Sequence, residues 1–383
     1  MGSQGFDERC GSRDMIESIE ITNFKSIRHE KIDLERLTVF VGANASGKTS
    51  VLEAIEAGVE LSHLPDSQTP RIFSEKDWAD SRYTVGGEGR MSFVVRLGDG
   101  QQISVSVKSA STTDATGDDH PELSMFGVGS VRVEGRAVWS RSRGDSLRRL
   151  QLSPKEMALA SYAEASSPVM SVTGLGFASY LAQIALNDPD RFEEIGSELR
   201  RLIPHFLRVR FTRVPVLITE TEILRIGDER IPRTLEKSYP GNFMLFDFVN
   251  AKDVSAHLVS EGTLILLGLL TQILAPDRPR VLLLDDIDRG LHPLAQRQLI
   301  EALRRFMERF PDLQIIATSH SPYLLDCLHH NEVRLMSLDA EGYSTCKMLS
   351  QHPDFEQWRD EMAPGEMWSL FGEKWLAEGA PAQ

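Results

Sequence analysis

Eight consecutive residues, Gly42-Ala43-Asn44-Ala45-Ser46-Gly47-Lys48-Thr49, satisfy the spacing G-x-x-x-x-G-K-[ST]. Glycine at that spacing lets backbone N–H groups turn inward and surround phosphate oxygens. A helix that starts there points its positive end at the same oxygens. Lys48 then places a point charge on the β- and γ-phosphates, and the Thr49 hydroxyl becomes a magnesium ligand. The competing reading is a glycine turn ahead of an ordinary helix. Context favours ATP and Mg2+: Leu37–Val41 reads as a strand ending in Gly42, and helical periodicity runs from Thr49 through Val51, Leu52, Ile55 and Val59.

Other stretches carry groups suited to the same chemistry. Val281–Leu284 is an apolar run that ends in Asp285-Asp286. Such a strand is expected to be central and buried on both faces, with its C-terminal edge facing the ligand crevice. Asp285 would hold magnesium, directly or through water, and Asp286 would orient or deprotonate the attacking water. Leu313–Ser319 has a similar pattern and runs into His320-Ser321-Pro322. His320 at that edge would donate to the γ-phosphate, or would be an ordinary polar loop residue. Ser260-Glu261-Gly262-Thr263 precedes an apolar helix, so its N–H groups suit a phosphate, while Ser260 equally suits a plain N-cap.

The elements that position these groups follow from periodicity. Two or three strands with tight turns open the chain from Ile16, and residues 91–108 read as a hairpin around Gly98-Asp99-Gly100. Residues 109–130 read as a flexible loop, 131–150 as an arginine-rich strand and turn, 154–203 as helical and 206–235 as short strands. A helix over Leu258–Leu274, a strand over Arg280–Asp285, a helix over Pro293–Phe310 and the strand at Leu313–Ser319 imply a mostly parallel sheet. The tail Pro364–Leu376 has an aromatic stripe at helical spacing and is expected to be a packing helix. The resulting division is an extension at 1–14, a first lobe at 15–110, an inserted α+β region at 111–250, a second lobe at 251–350 and a helical tail at 351–383.

The formal charge is −14, with 42 Lys and Arg against 56 Asp and Glu. That excludes a surface that coats nucleic acid as a whole. Arginines nevertheless cluster at Arg132, Arg136, Arg141, Arg143, Arg148 and Arg149, and Arg208, Arg210 and Arg213 are expected on one face of a strand. Such a cluster would hold DNA phosphates or an acidic partner, or would be a solvated face balanced by nearby acids. Cys10, Cys327 and Cys346 lie far apart and form no metal-spaced pair. The polar N-terminus lacks the apolar core of a signal peptide. The longest apolar run, Leu264–Ala275, falls short of the roughly 20 residues of a membrane span, so a cytoplasmic protein is expected.

The order of the motifs, with TNFKSI before the loop and SEGTLILLGLL, LLLDDIDRGLHP and TSHSP after it, resembles the ABC-class P-loop ATPases of the SMC, RecF and OLD type. The resemblance covers about residues 16–58 and 253–333, and the tail PGEMWSLFGEKWL is similar to those of small stand-alone members. It implies an α/β head with a two-lobed mixed sheet, flanking helices and an inserted α+β region. It further implies a homodimer that sandwiches two ATP molecules. Gly42, Ala43, Asn44, Ala45, Ser46, Gly47, Lys48, Thr49 and Ser50 of one copy would hold each nucleotide, and Ser260 and Gly262 of the other would cap it. Asp285 matches the magnesium aspartate, Asp286 the place of the catalytic glutamate, His320 the switch histidine and Asp288 the loop that crosses the dimer interface. Lys25 matches a basic residue reaching toward the nucleotide.

Departures from that pattern are also legible. The usual Asp-Glu pair is Asp-Asp, no glutamine stands out for the loop that senses the γ-phosphate, and the middle of the chain lacks the heptads of long coiled-coil arms. No acidic cluster of a fused nuclease follows His320. The expected function is an ATPase gating an activity on DNA or on an effector protein, in DNA repair or phage defence. The alternative is a slowly hydrolysing switch that controls a separate nuclease or toxin. A transporter subunit is disfavoured by the form of the signature.

Overall fold

The computed structural model describes residues 15–61, 91–109, 128–134, 147–163, 168–226 and 229–377. In chain order these form β1 (Ile16–Phe24), β2 (Ile27–Asp33), β3 (Leu37–Gly42), α1 (Lys48–Leu61), β4 (Met91–Leu97), β5 (Gln102–Ser109), β6 (Val128–Glu134) and β7 (Leu147–Leu150). There follow α2 (Pro154–Met157), α3 (Phe177–Asn187), α4 (Pro189–Leu202), β8 (Phe206–Ile226), β9 (Glu229–Phe248), β10 (Ala251–Ser255) and α5 (Glu261–Leu274). The remainder is β11 (Val281–Leu284), α6 (Pro293–Arg309), β12 (Gln314–Ser319), α7 (Pro322–Leu325), β13 (Val333–Leu338), β14 (Ser344–Met348), α8 (Phe355–Trp358), α9 (Pro364–Phe371) and α10 (Lys374–Ala377).

The chain divides into two compact units. The first contains residues 1–149, 279–288 and 296–383; the second contains 150–278 and 289–295. The boundary expected at residue 250 therefore coincides with the edge of neither unit.

In the first unit, β11, β12, β3 and β13 lie side by side and parallel, with β14 antiparallel at one end of the sheet. β3 is buried at every position, as expected of a central parallel strand covered on both faces. A second, antiparallel sheet has the order β2-β1-β4-β5-β6. Its alternating pattern buries one face and leaves the other half-buried, most clearly in β4. α1 contributes Val51, Leu52 and Ile55 to one core with Ile19, Phe93 and Val95 of this sheet and Phe40, Leu283 and Ile316 of the other. The buried Gln314 amide ties the sheets together. It accepts from the Ile16 N–H at 2.9 Å and donates to the Ile16 carbonyl at 2.8 Å, in effect extending the β1 ladder across the gap. These contacts fix the start of α1 over the ends of the parallel strands, and so position the loop before it.

One half-buried acid in this unit carries a stability consequence. Burial lifts the Glu30 carboxyl on β2 from 4.5 to about 7, against the bond from the Cys346 backbone and the charge of Lys347. The folded chain therefore holds this proton more tightly than the unfolded one. The contribution is fully present below about pH 4.5 and is lost as the pH rises through about 7. Glu30→Gln is expected to raise unfolding stability at pH 8 by about 2 kcal/mol, allowing for partial solvent access, and to change it little at pH 4.5. Chemical denaturation at the two pH values checks this.

The second unit departs from expectation in three places. The described residues of 154–203 form three separate helices, because Gly174 and Gly176, at φ +93° and +88°, turn the chain ahead of α3 and Pro189 starts α4. The short strands expected at 206–235 are one long ribbon, with β8 and β9 paired from Phe206–Phe248 to Ile226–Glu229. Pro215 lies opposite Pro240 there, and a two-stranded ribbon tolerates this because an edge position need not donate. The helix expected from Leu258 begins at Glu261 with Ser260 as N-cap, after a separate short turn at Ala256–Leu258. In the first unit the tail is likewise two helices, α9 and α10, broken at Gly372, where φ is +61°.

Candidate functional site

The parallel order places the ends of β3, β12 and β11 side by side at one sheet edge, with Ser319 in register with Val41 and Leu284 with Ala317. The sequence-predicted groups therefore converge. Thr49, on the first turn of α1, donates its hydroxyl to both Asp285 carboxylate oxygens, at 3.1 and 3.0 Å. Asp285 also accepts from the Thr318 hydroxyl at 2.6 Å, and that hydroxyl accepts the Asp286 N–H at 2.8 Å. The next N–H, of Ile287, donates to the Thr318 carbonyl at 3.0 Å. Thr318 stands in the TSHSP motif, and nothing in the sequence alone gives it a role. Its two-way hydroxyl ties the metal-type carboxylate to the backbone of the next acid, where Asp286 takes a left-handed φ of +53°.

His320 completes the edge. Its Nε2 lies 3.6 Å from Asp286 Oδ1, and its N–H donates to Asp288 Oδ1 at 3.2 Å. Burial, then the charge of Asp285, push the Asp286 carboxyl above the usual carboxylate range, partly offset by His320. That moves it toward the range of a general base working near neutrality. Lys48 is 6% exposed, and its ammonium donates to the Gly42 and Ala43 carbonyls at 2.9 and 2.8 Å. Burial lowers its proton affinity, and Asp286 is the first of the carboxylates that oppose this.

The loop fits a phosphate chain. A Cβ at Gly42 would lie 2.1 Å from the Met336 carbonyl oxygen, and one at Gly47, at φ +96°, would lie 2.2 Å from Ser344 Oγ. Only glycine lets the loop close against β13 and β14 at those points. Ser46 Oγ is buried without a hydrogen-bond partner, a donor waiting for an acceptor. Among the described residues no cluster of three or more His, Cys, Asp or Glu could cage a metal by itself. One hydroxyl and one carboxylate, Thr49 and Asp285, instead suit Mg2+ that keeps water and phosphate oxygens as its other ligands.

Other predicted residues are engaged elsewhere. Lys25, at φ +50° in the β1–β2 turn, is ion-paired with Glu53 of α1 rather than extended toward the loop. In the second unit, Ser260 caps α5, accepting the Thr263 N–H at 3.3 Å, and a Cβ at Gly262 would lie 2.6 Å from the Gly290 carbonyl oxygen. Both residue types thus have a reason within the chain.

The arginines expected to form a basic face are also largely paired. Arg149 holds Glu56 at 2.5 Å. Arg208 and Arg210 both bond Asp247, which they hold well below the usual carboxylate range with help from the Asp253 N–H. Arg213 falls on the opposite face of the ribbon by strand parity and donates to the Pro240 carbonyl. Arg136, Arg141 and Arg143 lie outside the described residues. No helix among the described residues is long and apolar enough to cross a membrane.

Comparison with known proteins agrees with this geometry. The family model described as "AAA domain, putative AbiEii toxin, Type IV TA system" matches residues 37–326, from the start of β3 to just past α7. The Septu protein PtuA of Bacillus mycoides (strain KBAB4) is 28% identical over 361 residues, which cover 89% of this chain. The chain spans 43% of that relative's length. Among solved structures, an SMC head bound to the C-terminal winged-helix domain of ScpA superposes with a TM-score of 0.53 at 15% identity, covering 89% of this chain and 99% of that one.

Proposed function

The chain belongs to this AAA-domain family and has the α/β fold of an SMC- and ABC-type P-loop ATPase, and from that premise we propose that it binds and hydrolyses ATP at the edge formed by β3, β12 and β11. The observation that carries the proposal is the bonded series Thr49–Asp285–Thr318–Asp286, with His320 beside it. Gly42 to Ser50 surround the phosphates, and Lys48 exchanges its two loop carbonyls for β- and γ-phosphate oxygens. Magnesium held by Thr49 and Asp285 would neutralise charge on the phosphates. Asp286 orients the attacking water and accepts its proton, and His320 donates to the γ-phosphate as negative charge shifts on it.

The same reading makes the working unit an ATP-bridged homodimer. Ser260 and Gly262 of one copy would cap the nucleotide of the other, and Asp288 would lie at the shared face. A partner-gating role in antiviral defence, through a separate nuclease-like effector, is favoured over DNA repair by the similarity to the Septu protein. Direct DNA contact draws less support, because Arg149, Arg208 and Arg210 already hold acids of this chain. Asp286, one methylene shorter than the glutamate usual at its place, favours slow turnover, so that bound ATP times the closed state.

Ser260→Arg tests the dimer. MgATP is expected to convert the wild-type chain from monomer to dimer in analytical ultracentrifugation. The variant is expected to stay monomeric while binding ATP with affinity within about threefold of wild type, the spread ordinary for a surface change. Dimers that persist in the variant would remove Ser260 from the interface.

A further inference from the structure

The buried face of α6 carries Leu299, Ile300, Leu303 and Phe306, and it opens with Gln296. An apolar side chain at that helical position would continue the stripe, whereas a buried amide costs free energy unless it is bonded. Gln296 is 5% exposed, and its Oε1 accepts from the Ser321 hydroxyl at 2.6 Å. Ser321 is itself buried and stands at the N-cap position of α7. A serine there ordinarily accepts a backbone N–H of the first helical turn. This one makes no such cap bond and gives its hydroxyl to Gln296.

The bond bears on His320. β12 ends at Ser319 and α7 starts at Pro322, so His320 and Ser321 form the whole link between strand and helix. Both N–H groups of that link are held. The His320 N–H donates to Asp288 Oδ1 at 3.2 Å, and the Ser321 N–H donates to the buried Ser319 Oγ at 3.0 Å. Gln296 adds a third hold, from a separate helix, through the Ser321 side chain. The His320 side chain is 37% exposed, so packing alone does not fix its ring, and the held backbone sets where it stands beside Asp286.

We propose that Gln296 is a positioning residue of the nucleotide site: through Ser321 it fixes the link that carries His320, and so sets where the imidazole meets the γ-phosphate. The inference rests on the reading that His320 donates to that phosphate. Misplacing a reacting group by about 1 Å can cost on the order of 100-fold in rate. Loss of one of the three holds is expected to cost less, about tenfold, and to spare nucleotide binding, which the loop and Lys48 carry.

The test measures MgATP dissociation constants and single-turnover phosphate release for the wild-type chain, Gln296→Met, Ser321→Ala, His320→Ala and the pair Gln296→Met with His320→Ala. Methionine keeps the length of glutamine without a strong acceptor. Gln296→Met and Ser321→Ala break the same bond from its two ends, so if circular dichroism shows one unfolded, the other decides. Each is expected to slow release about tenfold with ATP affinity within about threefold of wild type. Added to His320→Ala, Gln296→Met is expected to slow release by less than about twofold, because no imidazole is left to misplace. Release within about twofold of wild type in a folded single variant would overturn the proposal. So would a full further loss of about tenfold on top of His320→Ala, which marks a purely structural role. A wild-type rate in His320→Ala would overturn the reading of His320 and the positioning role together.

Discussion

Asp286→Asn is expected to lower ATP turnover by about 10²- to 10³-fold and to leave ATP affinity within about threefold. The asymmetry follows from where the side chain sits. Asp285, not Asp286, accepts from Thr49, and these two are the residues proposed to hold magnesium. Asp286 is fixed through its backbone by Thr318, and its carboxylate lies toward His320. Asparagine preserves size and the left-handed φ, which it tolerates better than most residues. What it removes is a proton acceptor whose affinity burial and Asp285 have raised. The variant should therefore bind MgATP and accumulate as a nucleotide-bridged dimer. Pre-steady-state phosphate release together with ATP titration checks the split. A turnover equal to wild type would place the base elsewhere; lost binding would mean that the side chain holds nucleotide or metal.

Lys48→Ala is expected to act earlier, weakening ATP binding by at least about 100-fold and abolishing turnover with it. The ammonium is nearly buried, and its bonds in this structure are to two carbonyls of the loop itself. Alanine would remove the charge proposed to meet the β- and γ-phosphates, while the carboxylates Asp286, Asp285 and Asp288 remain to repel them. The fold should survive, since the core around α1 is built by Val51, Leu52 and Ile55. Isothermal titration with MgATP measures the loss, and circular dichroism confirms the fold.

Much of the site was legible because its residue types have few other uses at those spacings. The glycines of the loop, the apolar run closing on Asp285 and the strand before His320 all signalled one sheet edge, and the register of β3, β12 and β11 brings them there. What the sequence left open was whatever depends on distant partners. Thr318 has an ordinary strand context, and only the parallel pairing of β11 with β12 puts its hydroxyl between two adjacent acids. Lys25 and Arg149 read as available cations, yet α1 presents Glu53 and Glu56 to them. The arginines at the base of the ribbon read as a basic face, until Asp247, nearly forty residues on, pairs with them across β8 and β9. The ribbon itself was concealed by Pro215 and Pro240, which break a local strand pattern but fall opposite each other in the pair.

The most direct test is phosphate release from ATP by the purified wild-type chain, measured beside Asp286→Asn and with magnesium chelated. Saturable release is expected that stops on chelation and falls at least about 100-fold in Asp286→Asn. Release that is absent from the wild-type chain with MgATP bound, or equal in wild type and Asp286→Asn, would contradict hydrolysis at this sheet edge.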